Sequence, residues 1–338
     1  MSNPVLTEAI DRVAGREGLS ADEAARVLHE IMAGEASEAQ TAAFLIALRT
    51  KGESVEEITG LARAMRELAV PVDAGDGLVD TAGTGGGRPT FNVSTAAALI
   101  AAGAGCRVAK HGNRSATSRC GSADVLEALG AKIDLTPEQV ADCIGTVGFG
   151  FMFAPRHHRA MKHVVPVRKE LAVRTVFNFL GPLTNPAGAT RQVIGVSHSR
   201  AIEDIGHALR ALGAERALVV SSADGLDEFS VAGPTRVVEL TGDEFDTYDV
   251  GPEDFGIEPA DDAAVGAGSP AENAEVLRSV LRGEQGAARA MAVMNAGAAI
   301  YVGGRADTLD QGARRAEEAI DSGAGREILE RYVELSQA

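Results

Sequence analysis

Through residues 1–70 apolar side chains recur at three- and four-residue steps, the spacing of helices that bury one face. Ser20-Ala-Asp-Glu23 ahead of AARVLHEIM has the form of a capping box. Ser37 and Ser54 are placed to cap EAQTAAFLIALRT and VEEITGLARAMREL. No strand pattern interrupts them, so residues 1–70 are expected to form a small helical domain. Val70-Pro-Val-Asp73 breaks the periodicity.

Beyond the break, short apolar runs alternate with helical patterns. LVDT (78–81), CRVAKH (106–111), AKIDL (131–135), FGFMF (149–153), RQVIGV (191–196), RALVVSS (216–222) and RVVEL (236–240) are predicted strands. STAAALIAAGAG, SADVLEALG and TPEQVADCIGTVG are predicted helices, and helices dominate from Glu272 onward. This grammar predicts an α/β domain over 71–338, with a mostly parallel central sheet flanked by helices. The acidic stretch 242–264 is expected to be a solvated face or loop. Ligands of such sheets bind beyond the carboxyl ends of the strands.

Composition narrows the options. Trp is absent and aromatics make up only 4%, so the core must be Ala, Val, Leu and Ile, with helices packed closely over small residues. The net charge of −16 and a total of only five lysines argue against a nucleic-acid surface, which needs clustered cations. Such an acidic surface resembles those of proteins from salt-loving microbes, and folded stability is then expected to fall at low salt. Cys106, Cys120 and Cys143 have no metal-ligand spacing and suit a reducing compartment as apolar fillers. The N-terminal MSNPVLTEAI carries no basic-then-apolar signal, and no apolar run is long enough to span a bilayer. A soluble, cytoplasmic protein is expected.

Four segments carry candidate chemistry. In DTAGTGGGRPTFNVST (80–95) a strand ends, four glycines fall within residues 83–87, and a helix begins near Ser94. Backbone amides there can approach an anion at a helix N-terminus, or the segment is a tight turn without a ligand. It lacks the Gly-Lys-Ser/Thr of a Walker loop. KHGNRSATSRCGSADVLEALG (110–130) concentrates Lys110, Arg114 and Arg119 among small hydrogen-bonding residues, a composition suited to a polyanion or a solvated loop, with Ser122 a cap for the next helix. SSADGLDEFS (221–230) sets Asp224, Asp227 and Glu228 on a turn, as hard ligands for Mg²⁺ or as surface acids. In FAPRHHRAMKHVVPVRKELAVRTVFNFLGPLTNPA (153–187), Arg168 lies in an apolar context like that of a carboxylate-binding arginine. His157, His158 and His163 have no acid or Cys at ligand spacing and are expected to be structural or surface residues.

Taken together and in this order, DTAGTGG, TFNVST, KHGNRS, GSADVLEALG, PVRKEL, RTVFNFLGPLTNPA and DGLDE resemble the anthranilate phosphoribosyltransferase family along the whole chain. The resemblance implies a small helical domain joined to a larger α/β domain, with the active site in the cleft between them. It also implies that helices around 160–185 return to the small domain, and that a homodimer forms through the helical domains. The implied substrates are anthranilate and phosphoribosyl pyrophosphate, with Mg²⁺ as two ions per site. Gly83, Gly86, Gly87, Thr90, Asn92, Val93, Ser94 and Thr95 would line the phosphoribosyl pyrophosphate. Lys110, His111, Gly112, Asn113, Arg114, Ser118 and Ser122 would complete its site. Gly83, Asn113 and Arg168 would meet anthranilate, with His111 and Pro182 along the same channel. Ser94, Asp227 and Glu228 would hold the metal, and Lys110 and Arg168 would be the catalytic cations.

The family pattern Gly-Thr-Gly-Gly-Asp-Gly is one residue short here. The run GTGG passes straight to Gly87-Arg88-Pro89-Thr90, so the Asp is missing and an altered magnesium dependence is expected. Two other readings stand beside this one: a pyrimidine-nucleoside phosphorylase and a non-catalytic nucleic-acid-binding relative. DGLDE and the setting of Arg168 argue against the first, and the charge against the second.

Overall fold

The computed structural model describes residues 2–115, 119–261, 265–266 and 268–338. Four helices open the chain: α1 (Pro4–Ala14), α2 (Ala21–Ala33), α3 (Glu38–Lys51) and α4 (Val55–Glu67). Ser20 and Ser54 close reciprocal capping boxes with Glu23 and Glu57, and Ser37 accepts the amide of Gln40. Glu57 does more than cap. Fully buried, it accepts the amides of Ser54 and Leu19 and pairs with Lys51 at 2.9 Å, tying α4 to the start of α2 and the end of α3.

The rest of the chain alternates as expected: β1 (Leu78–Gly83), α5 (Val93–Gly103), β2 (Arg107–Gly112), α6 (Ser122–Ala128), α7 (Pro137–Val147), β3 (Phe149–Phe153), α8 (Ala154–His157), α9 (Val165–Leu171), α10 (Phe177–Leu180), β4 (Arg191–Gly195), α11 (Ile202–Ala211), β5 (Arg216–Ser222), β6 (Thr235–Thr241) and β7 (Glu244–Val250). Helices α12 (Pro270–Leu281), α13 (Ala287–Val302), α14 (Leu309–Asp321) and α15 (Ala324–Gln337) complete it. The sheet order is β3-β2-β1-β4-β5-β6-β7. The first five strands are parallel and the last two antiparallel. Strand addition changes direction at β1 and β4, which run in register from Val79↔Arg191 to Gly83↔Gly195.

One hydrophobic cluster joins α5, α13, α14 and α15 to the sheet. It relies on small residues. The backbones of α13 and α14 approach so closely that a Cβ on Gly297 would lie 2.6 Å from the Ala313 amide nitrogen. A second cluster unites α1–α4 with α11 and with Val164, Val167, Val176, Phe177, Leu180 and Leu183. The 160–185 stretch thus packs against the N-terminal helices.

Three details differ from the sequence expectation. AKIDL (131–135) is not a strand. Ala131, Ile133 and Leu135 are buried and alternate with exposed Lys132 and Asp134, which is the period-two pattern of one covered face. A strand also needs a neighbouring edge, and the Lys132 amide goes instead to the Ser336 hydroxyl. Conversely, the acidic stretch contains β7, an edge strand on β6. Its Glu244, Asp246 and Asp249 are all exposed, the first two on one face and Asp249 on the other, and charge on an outer strand discourages further pairing. The cap of α6 also shifts by one. Gly121 is the N-cap residue, with its amide held by Asp124 at 2.8 Å, and Ser122 is the first helical residue.

Helix α9 ends on Ala172, which adopts φ +50° and ψ +26° while its amide bonds to the Arg168 carbonyl. A left-handed residue with a Cβ is strained by ~1–2 kcal/mol, partly offset by the greater unfolded freedom of glycine. Ala172→Gly is therefore expected to stabilise the protein by about 0.5–1 kcal/mol in urea unfolding. A loss of stability would contradict that strain.

Candidate active site

The carboxyl ends of β1, β2 and β4 open into a cavity of about 770 Å³. Gly83, Gly86, Gly87 and Thr90 line it from the loop after β1, and Asn92, Val93 and Ser94 from the start of α5. Lys110, His111, Gly112, Asn113 and Arg114 enter from β2 and the turn beyond, and Ser122 from α6. Arg168, Pro182, Asp227 and Glu228 complete the set expected from sequence. Thr95 does not belong there. It is the buried inward residue of the first turn of α5, and its hydroxyl has no hydrogen-bond partner among the described residues. Ser118 lies outside the described residues.

Asp227 and Glu228 face the glycine loop. The Gly85 amide donates to Asp227 Oδ2 at 2.9 Å, and a Cβ on Gly83 would come within 2.5 Å of the same oxygen. The Thr90 hydroxyl donates to Glu228 at 3.2 Å. Burial raises the pKa of Asp227, with the Gly85 amide and Arg174 opposing. Burial and the neighbouring Asp227 charge push Glu228 well above the usual carboxylate range. Two desolvated acids side by side are costly as anions unless a cation joins them. Asp224 is not part of the pair, because the hydroxyls of Ser222 and Ser230 hold its two oxygens. Among the described residues no group of three or more His, Cys, Asp or Glu could hold a metal. The donors present are two carboxylates and the nearby Ser94 hydroxyl. This hard-oxygen set fits Mg²⁺, which keeps several sites for water and substrate phosphate.

Lys110 is buried beneath the loop. Its ammonium donates to the Thr81 carbonyl at 2.6 Å and to Ser94 Oγ at 3.2 Å. Burial pushes its pKa down to about 8, with Asp80 and Glu228 opposing. The charge therefore acts from below, through Ser94 and the β1 carbonyl. Asp80 accepts the His111 amide and the side-chain amide of Asn185, which also reaches the Ala109 carbonyl. Neither Asp80 nor Asn185 stood out in the sequence. Arg114 is half-exposed and engaged by Asp124 and Glu127, so its charge is partly neutralised.

The other end of the cavity combines apolar side chains with a cation. The Arg168 guanidinium lies 5.4 Å over the Phe177 ring, and burial lowers its pKa. Among the described residues no carboxylate pairs with it. His111 packs 5.1 Å from His158. Burial holds His111 well below its ordinary pKa and His158 down to about 4, so both rings are neutral at pH 7. Among the described residues neither Nε2 has a hydrogen-bond partner.

Arg174 was missed. It follows the left-handed turn at Ala172, lines the cavity, and donates to the Gly85 carbonyl and to Ser197 Oγ. The only sequence signal was a lone arginine before TVFN, with no spacing rule to mark it.

A helical bundle beside a mostly parallel sheet, with a glycine loop facing buried acids at the strand ends, defines a glycosyl transferase that handles a phosphorylated sugar. Two family models agree. The helical bundle domain of the glycosyl transferase family matches residues 7–69, and its a/b domain matches residues 75–326. The anthranilate phosphoribosyltransferase of Rubrobacter xylanophilus is 56% identical, covering 98% of each chain. The crystal structure of that enzyme from Thermus thermophilus superposes with a TM-score of 0.93 at 45% identity, over 98% of this chain and 99% of that one. The Saccharomyces cerevisiae enzyme in complex with PRPP and Mg gives 0.90 at 28% identity, over 99% of both chains. The chain belongs to the anthranilate phosphoribosyltransferase family.

Proposed function

We propose that this protein transfers the phosphoribosyl group of phosphoribosyl pyrophosphate to the amine of anthranilate, releasing pyrophosphate, as a step of tryptophan biosynthesis. One observation carries the reading: one cavity has an anion-ready glycine loop and buried acids at one end and, at the other, an arginine on an aromatic bed with no carboxylate partner among the described residues.

The aromatic amine is neutral at pH 7, so attack at C1 of the ribose needs no strong base. The barrier is cleavage of the bond between C1 and the pyrophosphate oxygen, through an oxocarbenium-like transition state. Mg²⁺ bound by Asp227, Glu228 and Ser94, as two ions, would neutralise charge on the departing diphosphate. The amides of Gly83, Gly86 and Gly87 and the start of α5, with Thr90, Asn92 and Val93, would cradle the donor. Lys110 would hold Ser94 in place and add positive potential beneath the leaving group. His111, Gly112, Asn113, Arg114 and Ser122 would form the donor's far wall, with Arg114 leaving its acidic partners to do so. Arg168 would grip the anthranilate carboxylate, with Gly83 and Asn113 beside the amine and with His111 and Pro182 along the channel. The amine is thereby held near C1, which lowers the entropic part of the barrier.

The division at residue 70, the return of 160–185 to the small domain, pairing of two copies through the helical bundles, and tolerance of high salt belong to the same proposal. Among the described residues no helix is long and apolar enough to cross a membrane.

The test is loss of anthranilate fluorescence on adding phosphoribosyl pyrophosphate, with and without magnesium, at high salt. No loss, together with phosphorolysis of thymidine, would favour the nucleoside phosphorylase. The shortened loop adds a prediction. Arg88 follows Gly87 directly, and its amide closes onto the Gly225 carbonyl at 3.0 Å, beside the acidic pair. Inserting Asp before Gly87 is expected to shift the optimal magnesium concentration. An unchanged magnesium profile would remove the significance of the missing residue.

A further inference from the structure

One cation of the cavity has no role in the transfer described above. Arg174 is half-buried at the junction of three elements. Its guanidinium donates to the Gly85 carbonyl, to Ser197 Oγ at 3.1 Å, and lies 2.8 Å from His198 Nε2. Ser197 in turn donates to the Gly85 carbonyl at 3.0 Å, and its amide bonds to Thr84 Oγ1 at 3.3 Å. From the helical side, Arg49 on α3 holds the Arg174 carbonyl at 3.0 Å. The space over Gly86 is taken by the guanidinium, since a Cβ there would lie 2.8 Å from Arg174 Cζ.

We propose that Arg174 is a positioning residue for the sugar-diphosphate donor: it clamps the glycine loop so that the loop's amides face the cavity. The proposal rests on the phosphoribosyl-transfer reading. Gly85 is held on both sides of its Cα, its N–H by Asp227 at 2.9 Å and its carbonyl by Arg174 and Ser197. These groups belong to two successive peptide planes, and holding the Gly85 carbonyl fixes the direction of the Gly86 N–H that shares its plane. A run of glycines has little conformational preference of its own, so without the clamp the loop would have to be ordered by the donor at the moment of binding. The planar fork matters because it reaches the carbonyl, the hydroxyl and the imidazole together, whereas a lysine offers a single point of charge. The effect should therefore fall on the donor and spare the acceptor, which binds around Arg168.

The test compares Arg174→Ala, Arg174→Lys and Ser197→Ala with the wild type. Steady-state rates are measured with each substrate varied, and binding of phosphoribosyl pyrophosphate with magnesium is measured by calorimetry without anthranilate. The donor KM and Kd are expected to rise about tenfold in Arg174→Ala, the usual effect of losing charged hydrogen bonds. Ser197→Ala should raise them about two- to fivefold and Arg174→Lys should recover part of the loss. The KM for anthranilate and kcat should stay within about twofold. Donor constants within twofold of wild type in both alanine variants overturn the clamp. So does a rise shared equally by anthranilate, which marks general loosening. If Arg174→Ala does not fold, Ser197→Ala decides on the same criteria. A wild type that binds the donor but consumes no anthranilate refutes the proposed reaction, and the donor Kd values still decide the clamp. A wild type that does not bind the donor refutes both.

Discussion

Asp227→Asn is expected to lower kcat by about 10²- to 10³-fold while leaving the metal-free fold at least as stable as the wild type. The substitution keeps an oxygen for the Gly85 amide, which now binds Oδ2 at 2.9 Å, and removes only the charge. On the proposed mechanism, what would be lost is a ligand for the cation that neutralises the departing diphosphate, so the deficit would belong to the transition state and appear in kcat. The stability half of the prediction follows from burial. Asp227 and Glu228 both have raised pKa values in the folded protein, so the native state holds protons there that the unfolded chain releases. Stability from that source is present below the ordinary carboxylate pKa and is lost as pH rises through the raised values. At neutral pH the pair strains the metal-free protein, and Asn relieves part of it. Thermal unfolding in chelator should give a melting temperature no lower than wild type at pH 7. A lower one, or an unchanged kcat, would show that Asp227 serves the fold and not the reaction.

Arg168→Ala is expected to raise the KM for anthranilate by about 10- to 100-fold, with the donor KM within about twofold. The guanidinium is half-buried over Phe177, and among the described residues it has no carboxylate to neutralise it. An anionic acceptor therefore meets a charge that is already partly desolvated, the setting in which a charged hydrogen bond is worth most. Arg168→Lys should recover only part of the affinity, because an ammonium cannot match both carboxylate oxygens. Initial rates with each substrate varied decide the matter. Equal rises for donor and acceptor would take Arg168 out of the acceptor site.

Local and medium-range signals in the chain were dependable where one residue does one job. Ser20 and Ser54 cap as read, because a capping box needs only a four-residue span. The strand at Leu78 and the loop after it were legible because glycines, a strand end and a helix start coincide. Lys110 lines the cavity, yet its bonds run to Thr81 and Ser94, a direction no spacing could reveal. AKIDL misled because alternation reports a covered face and is silent about pairing. The strand Glu244–Val250 hid because an edge exposed to water may carry as many acids as a loop. Thr95 was assigned by its neighbours, but one step along a helix turns a side chain by about 100°, here from the cavity into the core. Arg174, Asp80 and Asn185 each make at least one contact more than 75 residues away in the chain, as Arg174 to Gly85, Asn185 to Ala109 and Asn185 to Asp80 show, and such contacts leave no local mark.

The stretch between β3 and β4 supplies Arg168, Phe177 and Pro182, and through the bend at Ala172 also Arg174. Everything that would recognise the nucleophile, apart from the strand-end residues it shares with the donor, sits on one insertion between two strands that follow each other in the chain but are separated in the sheet by β2 and β1. A scaffold divided in this way can exchange its acceptor as a cassette. Replacing residues 154–187 would offer a new amine to the same activated sugar, provided the replacement returns an arginine to the carbonyl of Gly85.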